Sequence, residues 1–200
     1  MNRFAVPMSL FAVLLVACQR PPPAEPVAPA AAATPAQAQA QAADAVSTAP
    51  ATGSDADWQG YGAAQLGIDV EQLRTVWGSD LQGDAAADGA CYYLSPAAHS
   101  EGGPFFMVEG GRFLRYDVRG GDTAAPGGGR IGMDLAQLQA LYPQAEPLQP
   151  HKYVEGGKVL RVPATDGSQG ALVFELGADG KATTWRVGLP PQVDYVEGCG

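Results

Sequence analysis

Two twelve-residue stretches of this chain are copies of one pattern. Leu66 to Trp77 reads LGIDVEQLRTVW and Ile131 to Tyr142 reads IGMDLAQLQALY, so that Gly, Asp, Gln and Leu coincide and every apolar position is kept. In each copy an Asp stands where a helix N-cap accepts a backbone N–H, and a Gln three positions later can return a hydrogen bond. Asp69 with Gln72 and Asp134 with Gln137 thus have the reciprocal pattern of a capping box. The apolar residues that follow, Val70, Leu73, Val76 and Trp77 in one copy and Leu135, Leu138, Leu141 and Tyr142 in the other, share one face of a short helix. Gly78 suits a left-handed C-cap, and Pro143 cannot continue a helix. A repeat at about 65 residues is too long for a solenoid unit. It predicts an α+β fold of two duplicated modules, each a short helix packed on a small antiparallel sheet.

Strand-like runs separated by tight turns follow each helix. Phe105 to Glu109 and Arg112 to Arg119 flank Gly110-Gly111; Lys152 to Glu155 and Lys158 to Val162 flank Gly156-Gly157; Ala171 to Leu176 and Lys181 to Val187 are joined through Asp179-Gly180. Ala124 to Gly129 reads as a flexible linker, which places the first module at 57–123 and the second at 124–200. Alternation along the strands turns Leu114, Tyr116 and Val118 toward the helix, with Phe113, Arg115, Asp117 and Arg119 on the other side. Leu160 and Val162 oppose Val159 and Arg161, Phe174 opposes Val173 and Glu175, and Trp185 opposes Thr184 and Arg186. The outward face therefore combines Phe113 with Arg115, Arg161 and Arg186. Aromatic and arginine side chains together are the composition of protein-binding centres, and Arg also suits a ligand carboxylate or phosphate. An ordinary solvated face, with Arg stems lying over apolar surface, has the same composition.

The first 56 residues belong to a different kind of chain. Residues 1–17 carry one positive charge at Arg3 and an apolar run from Leu10 to Val16, too short to span a bilayer, and read as a secretory signal peptide. Leu15-Val16-Ala17-Cys18 resembles the lipobox of bacterial lipoproteins. That resemblance implies cleavage before Cys18, diacylglycerol on its thiol and acylation of its new amino group, a multi-chain anchor to a membrane. In such lipoproteins an Asp after the cysteine favours inner-membrane retention; Gln19 here points to the outer membrane. Residues 18–56 continue in Ala, Pro, Gln, Ser and Thr with almost nothing to bury, the composition of a disordered tether. With Cys18 as the lipid carrier, the remaining two of three cysteines, Cys91 and Cys199, form a pair. In an oxidising compartment they are expected to make one disulfide.

Gly132-Met133-Asp134-Leu135-Ala136-Gln137-Leu138 resembles the Gly-Met-Ser/Thr-x-x-Gln-Val signature of the SmpA/OmlA-type outer-membrane lipoproteins, and Gly67 to Leu73 is a looser copy. The family normally has Ser or Thr where Asp69 and Asp134 stand, and it lacks the C-terminal cysteine. Two such modules in tandem are similar to the duplicated helix-plus-sheet fold of the β-lactamase inhibitor proteins. The whole pattern, with its ending from Pro190 to Cys199, also resembles a group of uncharacterised bacterial lipoproteins associated with the label lectin.

Motifs with dedicated chemistry are not recognisable. Gly127 to Gly132 satisfies Gly-x-Gly-x-x-Gly, but no strand precedes it; Asp55-Ala56-Asp57 starts like a calcium loop whose twelfth position is Leu66 where Glu is required. His99 and His151 stand without a paired ligand spacing, and no cofactor is implied. A net charge of -9 with 12 Lys+Arg disfavours nucleic acid. The sequence is read as a non-enzymatic outer-membrane lipoprotein that binds an envelope protein or maintains the envelope. The alternative is a glycan-binding module using Trp58, Tyr61 or Trp185. Less favoured is a small hydrolase, which would set His99 or His151 beside an activated carboxylate or Ser in a cleft.

Overall fold

Strand pairing, more than the helices, organises this chain. A computed structural model describes residues 55–78, 80–85, 90–99 and 102–199; the signal segment, Cys18 and nearly all of the tether lie outside them. Three two-residue strands, β1 (Ala56–Asp57), β2 (Gly60–Tyr61) and β3 (Ala64–Gln65), form a small antiparallel sheet. Helix α1 (Val70–Trp77) follows, then β4 (Leu81–Gln82), β5 (Cys91–Pro96), β6 (Phe105–Glu109) and β7 (Arg112–Val118). After α2 (Leu135–Leu141) come β8 (Gln149–Pro150), β9 (Lys158–Pro163), β10 (Ala171–Leu176) and β11 (Ala182–Gly188), and a one-turn helix at Gln192–Asp194. Strands β4 to β11 make one antiparallel sheet of eight strands in the order β4-β5-β6-β7-β11-β10-β9-β8.

The expected α+β architecture of two duplicated modules is therefore corrected. The protein is mostly β: β7 and β11 pair directly, Trp185 opposite Val118 and Val187 opposite Tyr116, so the strands of both halves share one sheet. One hydrophobic cluster takes Leu73, Phe106, Phe113 and Tyr116 from the first half and Leu138, Phe174 and Trp185 from the second. Phe106 meets Phe113 edge-on at 5.2 Å and Tyr116 meets Trp185 at 5.9 Å, the T-shaped contacts that aromatic quadrupoles favour. The segment 124–129 is not a loose linker either. The Gly129 N–H donates to the Tyr142 hydroxyl, and that hydroxyl donates to the Pro126 carbonyl.

Both helices begin as their caps dictate. Asp69 accepts from the Gln72 N–H at 2.8 Å, and Asp134 from the Gln137 N–H at 2.9 Å; each Gln side chain accepts from the backbone of its cap residue. The helices are only 8 and 7 residues long, and each fully buries one residue, Leu73 and Leu138. The apolar face read from the sequence is correspondingly too wide: Val76 is 45% and Leu141 41% exposed.

Two strand expectations also change. Residues 152–155 do not pair with β9; the partner is β8, and the His151 Nδ1 accepts from the Tyr153 and Val154 N–H groups, curling the chain away from a ladder. On β7, Met107 opposes Arg115 while Val108 opposes Phe113, so Leu114 is an inserted bulge residue. The bulge resets the alternation: Phe113 joins Tyr116 and Val118 in the core, while Arg115 and Asp117 face the opposite side. Gly188, opposite Arg115, is required there, because a Cβ would lie 2.7 Å from the Arg115 Cβ.

Burial separates the two leucines of α2. Leu138→Ala should cost about 2–5 kcal/mol in urea denaturation, and Leu141→Ala within about 0.5 kcal/mol of zero.

Candidate functional site

The sheet face turned away from the helices carries charge that water does not reach. Arg115, Asp117 and Arg186 are 2%, 5% and 3% exposed, and they are buried beneath the chain's own C-terminal segment, residues 189–199. The Arg115 Nε donates to both Asp117 oxygens at 3.1 and 3.0 Å, and its Nη1 donates to the carbonyls of Gln192 at 3.0 Å and Tyr195 at 2.6 Å. The Arg186 Nε donates to the Val193 carbonyl at 2.6 Å, and its Nη1 to Glu175. Arg161 bridges Asp194 at 2.8 Å and Glu146. Val193 packs with Ala171 and Val173 in a second small apolar cluster. The segment ends in the expected disulfide, Cys91 to Cys199, closing a sequence separation of 108 residues.

Of the residues expected to form an outward binding face, none stands open. Phe113 is fully buried in the core because of the bulge at Leu114. Arg115 and Arg186 hold the C-terminal segment, and Arg161 is engaged at its edge. Buried guanidinium groups need paired acceptors, and a strand alternation pattern contains no sign that distant backbone carbonyls will supply them.

Between this face and residues 196–198 a polar cleft of about 190 Å³ remains, lined by Arg119, Glu175 and Thr184 beside the buried pairs. Behind it lies His151. Its imidazole is only 7% exposed. The Nδ1 accepts two backbone N–H groups, so the proton sits on Nε2, which faces the Glu175 Oε2 at 3.3 Å. That tautomer ties the 151–157 turn to β10 and leaves no free imidazole lone pair for base catalysis. Burial opposes ionisation of Glu175, but the Arg186 guanidinium and then His151 hold its carboxyl below its ordinary value. Burial and the neighbouring Arg115 push the Arg186 pKa down, against the pull of Glu175. The side chain of His99 lies outside the described residues.

A second cleft, about 180 Å³, is lined by Trp58, Gln59, Gln65, Leu66, Ser168 and Leu189. Trp58 is half-buried at the turn between β1 and β2. The Gln59 Nε2 donates to Asp166 at 3.0 Å, and the Ser168 N–H donates to the same carboxylate at 2.9 Å. The Ser168 N–H is the main cause of the lowered Asp166 pKa. The other two aromatic candidates are core residues. Trp185 is fully buried, and Tyr61 is 8% exposed and packed edge-on against Tyr116 at 5.4 Å.

No protein-family model matches the chain, and no curated protein matches it. Among solved structures, an extracellular protein containing a SCP domain from Bacillus anthracis is similar at 14% identity with a TM-score of 0.40, over 62% of this chain and 44% of that one. The chain therefore spans less than half of that protein. The disulfide marks a protein that matures in an oxidising compartment outside the cytoplasm. No helix among the described residues is long and apolar enough to cross a membrane.

Arg115→Met leaves Asp117 buried without its cation and should cost about 3–5 kcal/mol in urea denaturation; Arg115→Met with Asp117→Leu should recover much of that loss. Because the Glu175 pKa is lowered in the folded state, its stabilisation is complete above the ordinary glutamate value of 4.5 and lost as pH falls below it. Unfolding free energy measured from pH 6 downward should therefore fall less steeply in Glu175→Gln than in the natural protein.

Proposed function

We propose that the protein is a lipid-anchored, non-enzymatic binding module of the outer membrane whose ligand is a glycan seated in the Trp58 cleft. The anchor rests on Leu15-Val16-Ala17-Cys18, and the outer-membrane address on Gln19. The observation that carries the ligand is the composition of the cleft. A half-buried indole and the apolar Leu66 and Leu189 stand beside the amide of Gln65 and the hydroxyl of Ser168. Sugars have apolar C–H faces that lie against an aromatic ring and rims of hydroxyl groups that need amide, hydroxyl and carboxylate partners. A concave site with an aromatic body and a few fixed polar groups meets both needs. Asp166, ionised and held by Gln59 and Ser168, adds an acceptor at the rim.

Binding of an envelope protein is the other reading that the sequence carries. On the arginine face it requires residues 189–199 to leave Arg115 and Arg186, at the expense of the carbonyl contacts and the Val193 packing. The Trp58 cleft needs no such rearrangement, which favours the glycan.

Full-length protein applied to a glycan array should retain a defined set of sugars. Trp58→Ala should weaken the best of them about tenfold or more, and Gln65→Ala, at an exposed strand position, several-fold with unchanged stability. An empty array, or retention indifferent to both substitutions, overturns the reading.

A further inference from the structure

His151 is a buried titratable side chain that neither cleft uses. The chain leaves β8 at Pro150 and turns through residues 151–157 before β9 begins at Lys158. Within that turn the His151 N–H donates to the Gly157 carbonyl at 3.0 Å, and the Gly157 N–H to the Val154 carbonyl at 2.9 Å. The imidazole completes the turn, because Nδ1 accepts from the Tyr153 and Val154 N–H groups, both at 3.1 Å. This is the bonding of an Asx turn, with a ring nitrogen where an Asn oxygen would stand. An amide oxygen accepts at every pH, whereas an imidazole nitrogen accepts only while it carries no proton.

The two sides of the ring make opposite demands. Nε2 faces the Glu175 Oε2 on β10 at 3.3 Å. Glu175 also pairs with Arg186 on β11 and accepts from the Thr184 hydroxyl at 3.4 Å. Burial opposes ionisation of Glu175, but Arg186 and then His151 hold its carboxyl below the ordinary value of 4.5, so it is charged wherever an imidazole titrates. A carboxylate at Nε2 favours the imidazolium. The two N–H groups at Nδ1 admit only the neutral ring. Because Nε2–H keeps its partner in both states, a second proton enters at Nδ1, where it points at two donors. The other charged groups of the elements packed around the turn are Lys152, Glu155, Lys158, Asp179 and Lys181, all exposed. Lys152 pairs with Glu197 of the C-terminal segment at 2.6 Å, and its hydrogen bond is the main cause of the lowered Glu197 pKa.

We propose that the 151–157 turn is an acid-operated latch, in which a proton on the His151 Nδ1 expels the Tyr153 and Val154 N–H groups and opens the turn while Nε2 stays on Glu175. The closed turn excludes the second proton and the open turn accepts it, so closure is favoured at higher pH and lost as pH falls. The effect reaches past the turn itself. Lys152 is the side chain by which the turn holds Glu197, and Glu197 lines the polar cleft beside Val196 and Gly198. Opening therefore loosens one wall of that cleft and frees Tyr153 and Val154, whose side chains already face solvent.

Backbone NMR of the isotope-labelled full-length protein from pH 8 to pH 5, the range in which imidazole changes charge, tests the latch. The Tyr153 and Val154 amide signals should shift together and lose their heteronuclear NOE. Uptake of one proton per opening makes the open-to-closed ratio rise by up to about tenfold per pH unit. His151→Asn supplies an acceptor that does not titrate and should keep the turn closed throughout. His151→Ala should show the open-turn signals already at pH 8, and His99→Gln should leave the step unchanged. A turn that stays closed down to pH 5 in the natural protein, or a step that persists in His151→Asn, overturns the proposal.

Discussion

Two buried arginines hold this structure's second layer in place. Arg115 and Arg186 stand on adjacent central strands and spend their donors on Asp117, Glu175 and the carbonyls of Gln192, Val193 and Tyr195. A guanidinium can be taken out of water only where its fork is filled, and the C-terminal segment fills it. Covering one sheet face with an irregular segment creates the converse problem of satisfying that segment's backbone, and the same arginines answer it. The Cys91–Cys199 bond then fastens the end of the segment to β5, restricting the unfolded chain across most of its folded length.

The sheet thus has two unlike sides. One is an apolar interior in which the helices, the small sheet of β1 to β3 and a set of edge-on aromatic rings meet. The other is a thin layer of ion pairs and carbonyl contacts with the Val193 cluster at its centre. Apolar packing excludes water and leaves little room for chemistry. The polar layer cannot close as tightly, because charges of both signs must be kept at hydrogen-bonding distance, and the Arg119 cleft is where that closure is incomplete. The Trp58 cleft arises differently, at the seam where the β1–β2 turn meets the 166–168 loop through Gln59 and Asp166. Both clefts therefore lie where separate parts of the chain meet, the usual place for small-ligand sites.

Local features were legible because their causes lie within a few residues. The capping boxes at Asp69 and Asp134, the β6–β7 hairpin about Gly110-Gly111 and the β10–β11 hairpin about Asp179-Gly180 are all where turn and cap chemistry put them. Strand β5 and the pairing of β8 with β9 were not legible, since neither has a tight turn or a clean alternation to announce it. The largest error was architectural. A repeated helix start says that two stretches obey the same local rule, and it does not say whether the strands after them close into separate sheets or join edge to edge.

At the candidate sites the same limit applies at the scale of single residues. Alternation assigned Arg115 and Arg186 correctly to the face opposite the helices, but Phe113 lies on the other side because one inserted residue, Leu114, shifts the period by one. That Trp58 lines a cleft while Trp185 and Tyr61 are core residues depends on what packs over each ring, which the surrounding sequence does not encode. The caps, the turns and the apolar content of the strands follow from residue chemistry over short spans, and the partners available to three cysteines follow from their number. That the halves share one sheet and that residues 189–199 cover the arginine face emerges only when the chain is folded. Those outcomes depend on contacts between residues up to about a hundred positions apart, for which no local pattern exists.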